Sequence, residues 1–479
     1  MINDAILQNI RHDMSQYKQL CIGYSGGLDS SVLLHCLVGL GLADKITAVH
    51  VNHGLSANAD DWQRACEVFC QKLGVTFVAE KVELQGVKSG VEAKARAARY
   101  QVFGKYLQDN TALLTAHHLD DQCETLLFRL MRGAGLKGLT AISVRRRFLS
   151  GASGSFSLSG SSASGCSMVE RPLLDVSRQS LELYAQHYGL SWVEDESNTD
   201  TRYDRNFLRQ TVLPKLEERW PKYRSLLNRA ISHLREAETL LEEYGVLDLQ
   251  RCDFRKERTG RSVCLLAMAD LSVLRQRHLI RSMLHEAGVG VSSAERVNQV
   301  LTIFGMEEDA QPLVEFSPCC FRRFRKRLYL VANLSLKSEA LRELSTITLD
   351  WDGRNTIDLP GGFTLSRNLC LKAGLNSEHG LNQGSELKSE PKSELKSAKP
   401  QKPLALRVKF KRSGIRCRPQ ERAHSQFLKK LMPDYGLEPW LRPYVPLIYS
   451  GDSLLAVGDL FVCEHELAAE LGELMWVAS

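Results

Sequence analysis

Apolar residues in the first 130 positions fall into short unbroken runs, separated by longer stretches in which they recur every three or four residues. QLCIGY at 19–24 is such a run, and it leads through Ser-Gly-Gly into a helical pattern carried by Val32, Leu33, Leu34, Leu37 and Val38. The unit repeats as a strand at Ile46–Val51, a helix around Asp60–Leu73, a strand at Val75–Ala79 and a helix around Val91–Leu107. A further strand at Ala112–Thr115 leads into a helix from about Leu119 to Met131. Short strands alternating with helices predict βαβ units, and strands without polar alternation predict a parallel sheet covered on both faces. The N-terminal part is expected to be α/β, a doubly wound parallel sheet.

Beyond this region the pattern changes several times. Thirteen of the eighteen residues at 150–167 are Ser or Gly, a composition that predicts a flexible surface loop. Past Trp220, the stripe Leu227, Ala230, Ile231, Leu234, Ala237, Leu241 and Tyr244 predicts a long amphipathic helix, with more helices at about 267–286 and 293–304. Residues 345–372 alternate like strands around Gly-rich turns. The tract 376–402 carries SELKS twice and no aromatic residue, which predicts a linker or disordered insertion. Three domains are expected: 1–218 for nucleotide chemistry, 222–330 mainly helical, and 345–479 α+β and interrupted by the polar tract.

Composition narrows the class without choosing a function. At 479 residues the chain is long enough for two or three cores. Its formal net charge of +6 permits a polyanionic partner without requiring one. No apolar stretch approaches the roughly 20 residues a membrane helix needs, and the N-terminus lacks a signal-peptide cleavage site. Thirteen scattered cysteines, an odd number, suit reduced thiols in a cytoplasm better than a disulfide framework.

The segment with the most chemistry follows the first strand: Ser25, Gly26, Gly27, Leu28, Asp29, Ser30 and Ser31. Two glycines allow a tight turn and close approach to a ligand, and the helix start directs N–H groups at it. Serine hydroxyls add donors, and Asp29 suits a Mg²⁺ ion bridging phosphate oxygens. No Lys-Ser/Thr pair follows, so this is not a Walker A loop. Gly23-Tyr24-Ser25-Gly26-Gly27 also fits the nucleophile elbow of α/β-hydrolases, but 22 preceding residues are too few for the strands that fold places before its elbow. A Gly-rich turn without a ligand is the plainer alternative.

SGGLDSS resembles the pyrophosphate-binding loop of the ATP-pyrophosphatase (PP-loop) superfamily, whose adenine nucleotide α-hydrolase-like domains split ATP into AMP and pyrophosphate. Four further segments narrow the resemblance: His50-Val51-Asn52-His53-Gly54-Leu55; Ala116 to Thr125 (AHHLDDQCET) with Arg132 to Leu139; Arg171-Pro172-Leu173-Leu174; and Glu194 to Asn198 with Arg205, Asn206 and Arg209. Together they resemble the bacterial tRNA(Ile)-lysidine synthetase family over residues 19–215. Pro439-Trp440-Leu441-Arg442 is similar to the family's last domain. The resemblance implies ATP and Mg²⁺ as cofactors, with free lysine and a CAU-anticodon isoleucine tRNA as substrates. Adenylation of the wobble cytidine at its C2 oxygen is followed by attack of lysine with loss of AMP. It also implies a cytoplasmic location, and a homodimer is compatible with it.

On that resemblance Asp121 and Glu124, spaced i, i+3 on one helix face, bind lysine, and Arg205 neutralises the leaving AMP. From spacing alone, the better reading of both acids is that they stabilise the helix start through capping and the helix dipole. Arg205 and Arg209, four apart, suit AMP phosphate or tRNA backbone. Basic clusters at Arg145–Arg147, Arg322–Arg327 and Arg407–Arg418 suit a long polyanion, with Arg416, Trp440 and Arg442 as further tRNA contacts. His117 and His118 with Asp120 and Asp121 suggest a metal site, but adjacent strand histidines point to opposite faces. The competing activity on the same fold is tRNA thiolation, which needs a persulfide-forming cysteine or an iron–sulfur cluster on cysteine pairs; no Cys-x-x-Cys occurs, and Cys123, inside the HHLDDQCET motif, is expected to be a small apolar helix residue. A nucleotide-regulated RNA-binding protein without catalysis is a third expectation.

Overall fold

The structure is a computed structural model and describes residues 2–54, 58–82, 91–148, 167–194, 201–290, 293–305, 310–333, 343–368, 404–411 and 413–478. Residues 150–166 of the Ser/Gly-rich stretch, the tract 376–402 and residues 195–198 lie outside these. The chain divides into two compact units, residues 1–247 and 248–479.

The first unit opens with α1 (Asp4–Ser15), a helix beyond the sequence expectations, although Ile6, Ile10 and Met14 follow four-residue steps; Asn3 caps it by accepting from the Ile6 N–H at 2.9 Å. Next come β1 (Gln19–Gly23), α2 (Leu28–Gly39), β2 (Ile46–Asn52), α3 (Ala59–Lys72), β3 (Thr76–Lys81), α4 (Val91–Gly104), β4 (Thr111–Leu114) and α5 (Leu119–Met131). After the short helix α6 (Leu136–Leu139) come β5 (Arg145–Arg147), β6 (Met168–Glu170), α7 (Arg178–His187), α8 (Asp204–Phe207), α9 (Leu213–Arg219) and α10 (Tyr223–Arg251). The six strands lie in the order β3-β2-β1-β4-β6-β5, with only β5 antiparallel to its neighbour. Burial on both faces explains the unbroken apolar runs. Leu20, Ile22, Ala112 and Leu114 pack in one core with Val32, Leu33 and Leu37 of α2. Cys21 and Leu113, between them in sequence, pack on the opposite face against Val102 and Phe103 of α4. Each Leu or Ile so buried contributes roughly 1.5–3 kcal/mol.

Chain direction places the site. After β1 the chain builds β2 and β3 on one side, then returns to β4 on the other. The switch point therefore lies between the C-terminal ends of β1 and β4, where ligands of open α/β sheets bind.

The second unit contains α11 (Leu265–Ala269), α12 (Val273–Glu286) and α13 (Ala294–Thr302). The single helix expected at 267–286 is broken at Ser272, whose side chain accepts from the Arg275 N–H and starts α12 afresh. These helices share residues 255–332 with a five-stranded antiparallel sheet that the sequence pattern does not announce. Its strands are β7 (Arg255–Glu257), β8 (Gly260–Cys264), β9 (Leu313–Phe316), β10 (Cys319–Phe324) and β11 (Arg327–Ala332). In β10 three consecutive residues are buried and the next three partly so, leaving no period of two to detect. The strand-like stretch at 345–372 forms β12 (Thr348–Trp351), β13 (Ile357–Leu359) and β14 (Phe363–Asn368). They join two further sheets around a core containing Phe363, Phe410 and Trp476.

Candidate active site

The loop after β1 folds on itself through its serines. Ser25 Oγ lies 3.1 Å from Ser30 Oγ and accepts from the Gly27 N–H at 3.3 Å, while Ser30 donates to the Gly27 carbonyl at 3.0 Å. Gly26 has φ +82°, and a Cβ there would collide with the Cys66 sulfur, so backbone and packing both demand glycine. Gly27 caps α2 without any side chain bonding its first-turn N–H groups, which leaves them open to an anion. Leu28 is buried and offers only backbone. Ser31 is also buried, bonded to Tyr24 Oη at 3.3 Å and the Gly26 carbonyl at 3.4 Å, so its hydroxyl serves the loop's own structure.

β4 delivers the second half. His118 caps α5, and Asp121 Oδ2 accepts from the His118 backbone N–H at 2.9 Å. The His118 ring is 1% exposed, with Nε2 3.6 Å from both Asp29 Oδ2 and Asp121 Oδ2. His118 thus bridges the phosphate loop and the acidic helix. Burial pulls its pKa down, but the nearby carboxylates of Asp29, Asp121 and Asp120 outweigh that and raise it. His117 goes the other way: burial lowers it to about 4, with its Nδ1 2.9 Å from Thr115 Oγ1. The two adjacent histidines are thereby shifted in opposite directions.

Asp29 also faces Arg178 at 3.7 Å. Burial pushes its carboxyl pKa up, and His118, Arg178 and Arg209 more than reverse this, keeping it below the usual range. Its Oδ1 is buried with no hydrogen-bond partner among the described residues. Asp120 is structural: it accepts from the Arg178 N–H at 2.8 Å and Arg224 Nε at 2.6 Å, tying α5 to α7 and α10.

Glu124, with 3% of its side chain exposed, receives a bidentate pair from Arg209, Nε at 2.6 Å and Nη2 at 3.1 Å. Arg209 Nη2 also reaches Asp121 Oδ1 at 3.4 Å. Burial raises the Glu124 pKa against the opposing pull of Arg209. Asp121 and Glu124 thus form one acidic site, and Arg209 lies on it rather than on an outward basic face. Arg205 lies on α8, exposed, and its charge is felt at His117 and Arg129. Arg178, Arg224 and the carboxylate-bound position of Arg209 escape sequence reasoning; their guanidinium groups meet Asp29, Asp120 and Glu124, acids 85 to 149 residues away.

The basic clusters are less open than their sequence suggests. Arg145 donates to buried Glu170 at 2.5 Å. Arg327 donates to Ser262 at 2.7 Å and Asp253 at 2.6 Å, Arg323 to the Ile303 carbonyl at 3.2 Å, and Arg325 to the Pro433 carbonyl at 2.9 Å. Trp440 is half-buried, its ring 5.2 Å from Tyr329 and 6.2 Å from Phe324, with Arg322 stacked on it at 5.5 Å. Arg442 is half-buried and donates to the Leu437 carbonyl at 3.3 Å. Arg416 is exposed and lies over Phe427 at 5.0 Å. Trp440 and Arg442 thus pack within the second unit, while Arg416 faces solvent.

Among the described residues no helix is long and apolar enough to cross a membrane. Family models match the chain in three places: a PP-loop domain at residues 2–216, a TilS substrate binding domain at 264–329 and a TilS substrate C-terminal domain at 406–477. The tRNA(Ile)-lysidine synthase of Serratia proteamaculans (strain 568) is 36% identical over 484 residues, covering 99% of this chain and 98% of that protein. The proteins of that name from Vibrio vulnificus (strain YJ016), 34% identical over 99% of both chains, and Coxiella burnetii, 33% identical over 94% of this chain and 91% of that one, are similar over the same span.

Proposed function

The chain belongs to the tRNA(Ile)-lysidine synthase family, and from that premise we propose that it joins lysine to the wobble cytidine of CAU-anticodon tRNA(Ile), using ATP. The observation that carries the reading to residues is the meeting of the phosphate loop and the acidic helix through His118, which supports an ATP site beside a cation site. The cytosine C2 oxygen is a poor leaving group until adenylated, so the two sites must open onto one reaction centre.

The open N–H groups at the start of α2, with Ser25, Gly26 and Gly27, receive the triphosphate. The orphaned, buried Oδ1 of Asp29 suits Mg²⁺, which takes one or two carboxylates and completes its shell with phosphate oxygens and water. Bound there, the ion would neutralise charge on departing pyrophosphate. Lysine must attack with a neutral ε-amine, so its recognition has to fall on the other end; Asp121 and Glu124 hold the α-ammonium. Arg205 stands by to neutralise AMP. Arg416 supplies charge to the tRNA backbone, and a cytoplasmic location follows from that substrate. Thiolation gains no support from Cys123: it is fully buried, and burial pushes its thiol up to about 12, the reverse of a reactive thiolate.

The test is incubation with ATP, Mg²⁺, radiolabelled lysine and isoleucine tRNA bearing CAU, with elongator methionine tRNA of the same anticodon as control. Acid-precipitable label in the first tRNA alone is expected. Pyrophosphate release without label would remove lysine as the nucleophile.

A further inference from the structure

The acidic pair assigned to lysine is already filled by a cation of the chain itself. Arg209 donates to both oxygens of Glu124 and reaches Asp121, so the guanidinium covers both carboxylates that the substrate's α-ammonium needs. A bidentate arginine–carboxylate pair is among the stronger polar contacts, and two cations cannot share it. Glu124 is almost wholly buried, so leaving it without a cation is costly, whereas exchanging one cation for another is not. Arg209 has somewhere to go, since 35% of its side chain is exposed. It lies on a π-helical turn, Leu208–Val212, a local widening of the helix that is frequent at functional sites. It is also within electrostatic reach of Asp29 in the phosphate loop.

We propose that Arg209 is a resident stand-in for the lysine substrate, a positioning residue that closes the lysine site until nucleotide phosphate near Asp29 draws its guanidinium away. The inference rests on the assignment of Asp121 and Glu124 to lysine. Its consequence is order. Before nucleotide arrives, the fraction of molecules with an open acidic pair is small, and apparent lysine affinity falls by that fraction. Phosphate negative charge offers Arg209 a competing partner, so nucleotide and lysine bind with positive cooperativity, each raising the other's affinity by the same factor. Lysine is thus admitted when the group it must attack is being activated.

The experiment is calorimetric titration of lysine into the full chain, with and without Mg²⁺ and an ATP analogue carrying a methylene bridge between the α- and β-phosphates. Wild type, Arg209→Gln, Arg209→Lys and Glu124→Gln are compared. The analogue is expected to tighten lysine binding by about tenfold in wild type, within the range usual for such coupling. Arg209→Gln should bind lysine tightly in both conditions, with the nucleotide effect gone. Arg209→Lys keeps a cation over Glu124 but loses the fork, so it should fall between, and it covers the case in which Arg209→Gln does not fold. If Glu124→Gln abolishes lysine binding while neither Arg209 variant tightens it without nucleotide, the gate is wrong and the lysine site stands. If Glu124→Gln binds lysine like wild type, the site assignment fails and the gate with it.

Discussion

Two groups of cationic side chains, one at the switch point and one in the second unit, differ in their main partners. At the switch point Arg178, Arg209 and Arg224 face carboxylates: Asp29 at 3.7 Å, Glu124 at 2.6 Å and Asp120 at 2.6 Å. In the second unit Arg322, Arg416 and Lys409 lie over the rings of Trp440, Phe427 and Tyr449 at 5.5, 5.0 and 4.9 Å. A carboxylate partner cancels charge and fixes protonation states in a partly dry cleft. An aromatic partner orients a cation while leaving its positive charge uncancelled for a polyanion. In the proposed function the first arrangement suits chemistry on small charged substrates and the second suits holding a long one.

The sharpest way to break this contrast is Asp29→Ala. Because Asp29 joins the phosphate loop to His118, its loss should lower the rate of lysidine formation by roughly 10²–10³-fold, the effect of removing a preorganised charge-stabilising group. Circular dichroism should show an intact fold; a loss below tenfold would detach Asp29 from the chemistry. Next in size is Trp440→Ala, expected to lower unfolding free energy by about 3 kcal/mol, since the ring packs on Phe324 and Tyr329. Unchanged denaturant stability with weakened tRNA binding would instead make Trp440 an RNA contact.

His118 sharpens the comparison through pH. Its folded pKa is raised, so its stabilising contribution is complete below its ordinary value of 6.5 and disappears as pH climbs through the folded value. The melting temperature of wild type should fall with pH above 6.5, relative to His118→Gln, which lacks this titration. Parallel curves would mean that the Asp29–His118–Asp121 cluster is not coupled to protonation. The smallest effect belongs to Arg416→Ala. A single exposed cation lost from a phosphate contact should reduce the salt slope of tRNA binding by about 1, with little change in stability.

What the sequence discloses follows from range. The order of β1 to β4 is readable because strands buried on both faces are continuous apolar runs, and the phosphate loop because its residues are contiguous. Asp121 and Glu124 are readable as a shared face because they are one helical turn apart. Arg209 is visible as a basic residue, but its partner Glu124 is 85 residues away, and only the folded chain reveals that it covers the acids. The Arg322–Arg327 cluster misleads for a related reason. Strand β10 and the turn after it send neighbouring cations to different destinations, and Arg323, Arg325 and Arg327 end on carbonyls, Ser262 and Asp253. The sheet β7–β11 stays hidden because its short strands lack alternation.

In the proposed reaction labour is divided at one switch point, with Asp29 and its loop serving nucleotide cleavage and Glu124 serving lysine. Measuring tRNA-dependent pyrophosphate release and lysine incorporation side by side tests it most directly. Glu124→Gln should retain pyrophosphate release at saturating ATP while lysine incorporation collapses, and Asp29→Ala should lose both. Equal loss of both signals in Glu124→Gln would contradict the claim.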